Sequence, residues 1–280
     1  MSGVDPPLAL VREAVARALA EDLAPLGDMT AGLLPLDRRA EAVFVARDEG
    51  LLAGSLCARE ALAQVDPELA VRWRSGDGTE LAAGDVIGVV TGSLPSILTA
   101  ERTALNFLCH LSGIATLTRR FVRATHGRAA ILDTRKTTPG LRALEKAAVR
   151  AGGGVNHRGS LSDGVLIKDN HRMGLSITEA VGRARRRWPG RLVEVECDEL
   201  AHAVEAVEAG ATMVLLDNMS PAAVRECAAA VAGRAAIEVS GRVDLDLVAT
   251  YAGIAGVDFV SIGAITHSAP VLDIGLDVES

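Results

Sequence analysis

From Asp133 to His171 the chain reads DTRKTTPGLRALEKAAVRAGGGVNHRGSLSDGVLIKDNH. Between Thr134 and Arg172 there are eight basic residues: Arg135, Lys136, Arg142, Lys146, Arg150, Arg158, Lys168 and Arg172. They face three acids, Glu145, Asp163 and Asp169, in a chain whose formal charge is −7. One basic stretch in an acidic protein marks a local pocket for a small polyanion, not a nucleic-acid or membrane surface. Arginine grips a carboxylate with two parallel hydrogen bonds, whereas lysine brings a compact point charge suited to pyrophosphate. Lysine is scarce here: of 29 basic residues only Lys136, Lys146 and Lys168 are lysines. Lys136 and Lys168 follow or end apolar runs and are expected to serve chemistry. Lys146, inside the helical pattern LRALEKAAVRAG, is expected to be incidental.

Two acids stand out further on: Glu196 in LVEVECDE and Asp217 in TMVLLDNMS. A carboxylate closing an apolar strand is dehydrated unless partnered. It either pairs with a neighbouring arginine or serves ribose hydroxyls and Mg²⁺, a hard ion held by few carboxylates and by substrate phosphates. Small residues mark the last two strand ends, Ser240-Gly241 in EVSGR and Ser261-Ile262-Gly263-Ala264 in VSIGAITHSA. Such positions let backbone N–H groups approach a phosphate.

These residues need a scaffold that brings separate segments to one rim. From Ala129 onward, short apolar runs (AAILD, GVLIK, LVEVE, TMVLLD, AAIEV, DFVSIG) alternate with helix-forming sequence. The last four runs end at Glu196, Asp217, Ser240 and Gly263, a spacing of just over 20 residues that suits successive β/α units of a barrel. Barrels place chemistry at the carboxyl ends of their strands. An open doubly wound sheet is the competing fold, weakened by the lack of a GxGxxG after the first strand.

The first ~110 residues read differently. AEAVFVARDEG is expected as a strand, SLCAREALAQVD as a helix, and VRWRSGDGTELAAGDVIGVVTG as strand, turn and strand. An apolar helical period then runs from Thr99 to Thr125, with an interruption expected near Ser112-Gly113. Composition supports a large core: 49% of residues are hydrophobic, 23% charged and only 2% aromatic. An aliphatic core of this kind suits parallel strands buried on both faces.

The opening residues MSGVDPPLALVREAVARALAED lack a signal-type apolar segment; Leu8, Val11, Val15 and Leu19 fall on one helical face. No apolar run reaches the ~18 residues a membrane span needs. Cys57, Cys109, Cys197 and Cys227 are scattered, so buried free thiols are expected rather than zinc ligands or disulfides. A cytoplasmic protein is the expectation.

TRKTTPGLR, the GGGxNHR loop, SDGVLIKDNH and the closing GAITHSAPVLDIGLD resemble quinolinate phosphoribosyltransferase, as do ERTALNFL at 101–108 and the early DLAPLGDMT. The resemblance spans nearly the whole chain. It implies an N-terminal open-faced α/β sandwich (residues 1–111, joined by a tail at 268–280) and an incomplete β/α barrel over 112–267. It implies that Arg102, Arg135, His157, Arg158 and Lys168 surround quinolinate, with Arg102 donated from a neighbouring subunit of a homodimer or a hexamer of dimers. Thr134 and Lys136 join that rim. Glu196 and Asp217 face the ribose and are candidate Mg²⁺ ligands, while Ser240, Gly241, Arg242, Ile262, Gly263 and Ala264 hold the 5-phosphate. Lys136, Lys168, Glu196 and Asp217 form the expected catalytic set. The implied reaction joins quinolinate to phosphoribosyl pyrophosphate, with Mg²⁺ and no organic cofactor. Arg242 departs from the family, which usually carries a small residue there. A phosphoribosyltransferase for another carboxylated ring, an aldolase using Lys168 as a Schiff-base lysine, and a non-enzymatic binding module are the alternatives.

Overall fold

The computed structural model describes residues 5–35 and 37–279. In chain order the elements are α1 (Leu8–Leu23), β1 (Arg39–Ala46), β2 (Gly50–Leu51), α2 (Ser55–Val65), β3 (Ala70–Trp73), β4 (Glu80–Leu81), β5 (Val86–Ser93), α3 (Leu94–Ala124), β6 (Ala130–Leu132) and α4 (Arg142–Ala151). Then come β7 (Val165–Ile167), α5 (Asp169–Arg172), α6 (Ile177–Arg187), β8 (Val193–Cys197), α7 (Leu200–Glu208), β9 (Met213–Asp217), α8 (Pro221–Val231), β10 (Ala236–Ser240), α9 (Leu245–Ala252), β11 (Phe259–Ser261), α10 (Ala264–His267) and β12 (Ile274–Glu279). They form two compact units: residues 1–119 with 137–153 and 265–280, and residues 120–136 with 154–264.

The first unit is built on a four-stranded antiparallel sheet ordered β12-β1-β5-β3. Its β3 alternates exposed and half-buried residues, the pattern of a strand solvated on one side. Helix α3 runs unbroken for 31 residues through Ser112 and Gly113, where an interruption was expected. Those two residues serve close approach instead. The buried Ser112 hydroxyl accepts from the Ala53 N–H (2.9 Å) and donates to the Ala53 carbonyl (3.1 Å). A Cβ on Gly113 would overlap the Pro270 carbonyl oxygen, so only glycine lets the returning tail lie against the helix.

The second unit is a six-stranded parallel sheet ordered β6-β11-β10-β9-β8-β7. The first strand of this unit thus lies beside the last, as in a barrel, and a single bridge from Leu132 to Val155 extends the β6 edge. Among the described residues no ladder joins Val155 to β7, so the barrel is incomplete on that side. A cavity of about 960 Å³ lies along the open edge of β7, lined by Leu166, Trp188 and Arg187 among others. Three helices of the unit start on clear caps. Ser176 and Glu179 form a reciprocal capping box on α6, Ser220 precedes Pro221 at α8, and Asp244 accepts from the N–H groups of Asp246 and Leu247 at α9.

The four cysteines are free thiols. Burial pushes Cys57 and Cys197 up to about 12, so neither ionises near neutral pH. No described helix is long and apolar enough to cross a membrane.

Candidate active site

Strand register decides which side chains share the inner face of the second unit. Paired residues of parallel strands point the same way, and every second residue does so along a strand. Glu194 pairs with Leu166 and Met213, Leu215 with Glu196 and Glu238, and Asp217 with Ser240. Lys168, Glu194, Glu196, Asp217, Glu238 and Ser240 therefore all belong to one face. Glu194 and Glu238 are buried at mid-strand, whereas Lys168, Glu196, Asp217 and Ser240 are half-buried at the carboxyl ends.

Lys168 is ion-paired through Nζ with Glu196 Oε2, and its backbone N–H donates to His171 Nδ1 (3.1 Å), which sets the strand end against α5. Asp217 Oδ2 accepts from the Asn218 side-chain amide (2.7 Å). Two half-buried carboxylates on neighbouring strands, facing one side, offer the hard oxygen donors a divalent cation takes.

The guanidinium groups of Arg135 and Arg158 are close enough to repel. Burial holds the Arg158 guanidinium below the usual arginine range, and the Arg135 charge lowers it further, against opposition from Glu194 and Asp163. Arg158 Nη1 donates to the Gly164 carbonyl (3.2 Å), which fixes its loop. Clustering like charges costs free energy that an anionic ligand would return. Thr134 Oγ1 accepts from the Lys136 N–H (3.0 Å), turning the segment just beyond β6.

His157 lies deeper, with 13% of its side chain exposed. Its Nε2 is 3.0 Å from Glu194 Oε2 and 3.3 Å from Glu238 Oε2. Burial alone would depress the imidazole, but hydrogen bonds to Glu194 and then Glu238 overcome it, and its pKa is pushed up to about 10. Burial raises Glu194 as well, opposed by the hydrogen bond from His157. The loop backbone is fastened by Asp133, fully buried, which accepts from the Asn156 amide (2.6 Å) and the His157 N–H (2.9 Å). Sequence reasoning passed over Asp133, Glu194 and Glu238. For Glu194 and Glu238 the available signal was an acid inside an apolar strand run, which has no solvent to face and must meet a partner, whereas Asp133 only closes its run.

At the other side of the rim, Asn218, Gly241 and Arg242 have φ of 54°, 105° and 37°. The Asn218 N–H donates to the Ser240 carbonyl (3.0 Å), and a Cβ at Gly241 would overlap the Asn218 side chain. The two loops thus pack tightly, and Arg242 keeps a left-handed backbone despite its side chain. The Ile262 N–H donates to the Leu132 carbonyl (2.9 Å), which fixes the backbone just before Ala264 opens α10. Arg102 is exposed on α3 of the first unit. Lys146, expected to be incidental, is buried on α4 beside the fully buried Glu145. Glu145 is hydrogen-bonded to His110 Nε2 (2.9 Å) and accepts from the Thr138 N–H (3.1 Å).

Comparison with known proteins bears on this geometry. The family model "Quinolinate phosphoribosyl transferase, N-terminal domain" matches residues 28–112, and the corresponding C-terminal domain model matches residues 114–277. A probable nicotinate-nucleotide pyrophosphorylase [carboxylating] of Bacillus subtilis is 41% identical over 256 residues, covering 90% of this chain and 88% of its own. The nicotinate-nucleotide pyrophosphorylase [carboxylating] of Mycobacterium leprae is 41% identical over 279 residues, covering 95% and 96%. The solved structure of the nicotinate-nucleotide pyrophosphorylase from Francisella tularensis superposes with a TM-score of 0.93 at 40% identity, covering 98% of each chain.

Proposed function

The chain belongs to the quinolinate phosphoribosyltransferase family, and on that premise we propose that the rim of the second unit is where it joins quinolinate to phosphoribosyl pyrophosphate. The products are nicotinate mononucleotide, pyrophosphate and CO₂. The observation that carries the assignment is the meeting of opposite charges at the strand ends: Arg135 and Arg158 close to one another and to Glu194, and Lys168 ion-paired with Glu196, whose strand neighbours that of Asp217.

Quinolinate is a dianion. Arg135 and Arg158 each take a carboxylate, His157 and Lys168 add charge, and the repulsion between the two guanidiniums is relieved when the ligand binds. The pyridine nitrogen then attacks the anomeric carbon as the bond to pyrophosphate breaks. Positive charge grows on the ribose, where Glu196 and Asp217 favour it. The resulting pyridinium accepts the electron pair left when the 2-carboxylate departs as CO₂, and a proton takes the vacated ring position. Holding both substrates in line supplies much of the rate. Mg²⁺ would be held by Glu196 and Asp217 together with the pyrophosphate, and would neutralise charge on the leaving group. Lys168, ion-paired with Glu196, would meet the phosphates together with Lys136. Ser240, Gly241 and Arg242 with Gly263 and Ala264 cradle the 5-phosphate, and Ile262 fixes the backbone beneath it.

The exposed Arg102 completes the site of a second copy, which makes the working enzyme a homodimer or a larger assembly of dimers in the cytoplasm. The reaction is tested by following nicotinate mononucleotide, pyrophosphate and CO₂ from the two substrates. One-for-one release supports it. A borohydride-trapped adduct at Lys168 without pyrophosphate release would instead point to an aldolase.

A further inference from the structure

The inner layer of a β/α barrel is ordinarily filled by branched aliphatic side chains. Here β8 and β10, alternate strands of the sheet, place Glu194 and Glu238 in that layer, each 1% exposed. Both carboxylates converge on one cation, His157 Nε2, at 3.0 and 3.3 Å. Glu194 Oε1 is buried without a hydrogen-bond partner. Two desolvated acids against one imidazolium form a poor device for stability, because apolar residues of similar volume usually do as well or better. The loop is already fastened without them, through the Asp133 bonds to Asn156 and to the His157 N–H. What the two glutamates add is control of the His157 ring.

We infer that Glu238 and Glu194 are positioning residues for substrate binding: they hold the His157 ring charged and in one orientation, as a fixed cation beside Arg158 for the quinolinate carboxylates. This rests on the proposed place of His157 at quinolinate. It assigns both glutamates a role that is exerted only through His157.

The test uses the full-length enzyme with the isosteric variants Glu238→Gln and Glu194→Gln, with His157→Ala, and with each glutamine variant combined with His157→Ala. Titration calorimetry gives affinities for quinolinate and, separately, for phosphoribosyl pyrophosphate. Each single glutamine variant is expected to weaken quinolinate binding roughly tenfold, the scale of one charge-assisted contact. The affinity for phosphoribosyl pyrophosphate should stay within about twofold, because the glutamates act only through the His157 ring. In the His157→Ala background the glutamine changes should have no further effect on quinolinate, because their route is gone.

If His157→Ala itself leaves quinolinate binding intact, the reading of the site is wrong at His157. If His157→Ala weakens binding but neither glutamine variant does, that reading stands and the positioning role is overturned. Equal loss for both substrates with a lowered melting temperature also overturns it, since that is a packing defect. Should the variants fail to fold, the wild-type enzyme decides. Imidazole ¹⁵N shifts of His157 at pH 8 are expected to be those of an imidazolium. A neutral ring, or a stoichiometric metal ion on the three side chains, would refute the role.

Discussion

Replacing Arg158 with Met keeps the aliphatic stem and removes the charge, and the structure allows its cost to be worked out. A charge-assisted hydrogen bond contributes about 1.5–3 kcal/mol. Losing one from the quinolinate complex weakens binding roughly 10- to 150-fold. The loss should fall in the upper part of that range, because Arg158 is strained by Arg135 in the free protein. Ligand binding relieves that strain, so the variant forfeits the relief as well as the attraction. The same reasoning predicts no fall in the stability of the free enzyme, although the bond to the Gly164 carbonyl is lost. Calorimetric titration of Arg158→Met and Arg135→Met with quinolinate and with nicotinate, which lacks one carboxylate, reads the division of labour. Both variants should lose quinolinate affinity. One should bind nicotinate nearly as well as wild type does, because its arginine served the missing carboxylate. Equal losses for the two ligands in both variants, or less than a twofold change for quinolinate, would refute the two-arginine clamp.

Three further outcomes are expected. Mixing inactive Arg102→Ala and Lys168→Ala subunits should restore part of the activity; no recovery despite demonstrated subunit exchange would place Arg102 outside a neighbour's site. Glu196→Gln and Asp217→Asn should lower kcat with little change in quinolinate affinity, whereas Lys168→Ala weakens binding of the anionic substrates, a split that titration of each variant checks. Because the Lys168–Glu196 pair links the two groups, a loss of quinolinate affinity in Glu196→Gln as severe as in Lys168→Ala would contradict the split. His157 is raised from 6.5 to about 10 in the folded protein, so its contribution to stability is complete below pH 6.5 and is lost as pH rises through about 10. The stability difference between wild type and His157→Gln should therefore shrink from pH 6.5 to 10 in thermal unfolding, and a flat difference would contradict the pairing.

Much of the second unit was legible because buried parallel strands leave unbroken apolar runs, and the runs from AAILD to DFVSIG each became a strand. Their polar ends were legible for the same reason: Lys168, Glu196, Asp217 and Ser240 sit where apolar sequence stops. Three features were not. Val155 joins the sheet by one bridge, too little to make a pattern. Ser112 and Gly113 look like a break, yet their small size serves contacts with Ala53 and Pro270 that are remote in sequence. Glu194 and Glu238 sit inside strands, and attention to strand ends passed over them; only the three-dimensional meeting with His157 shows their purpose.

The central claim is that this rim recognises a pyridine dicarboxylate and commits it to phosphoribosyl transfer. Pyrophosphate release in the presence of phosphoribosyl pyrophosphate and Mg²⁺, compared for quinolinate, nicotinate and nicotinamide under one set of conditions, tests it most directly. Quinolinate should outperform nicotinate by roughly a hundredfold or more, on the order of what one lost charge-assisted contact and a half-buried arginine left without its carboxylate cost, and nicotinamide should be inert. Comparable turnover of nicotinate and quinolinate would contradict the account.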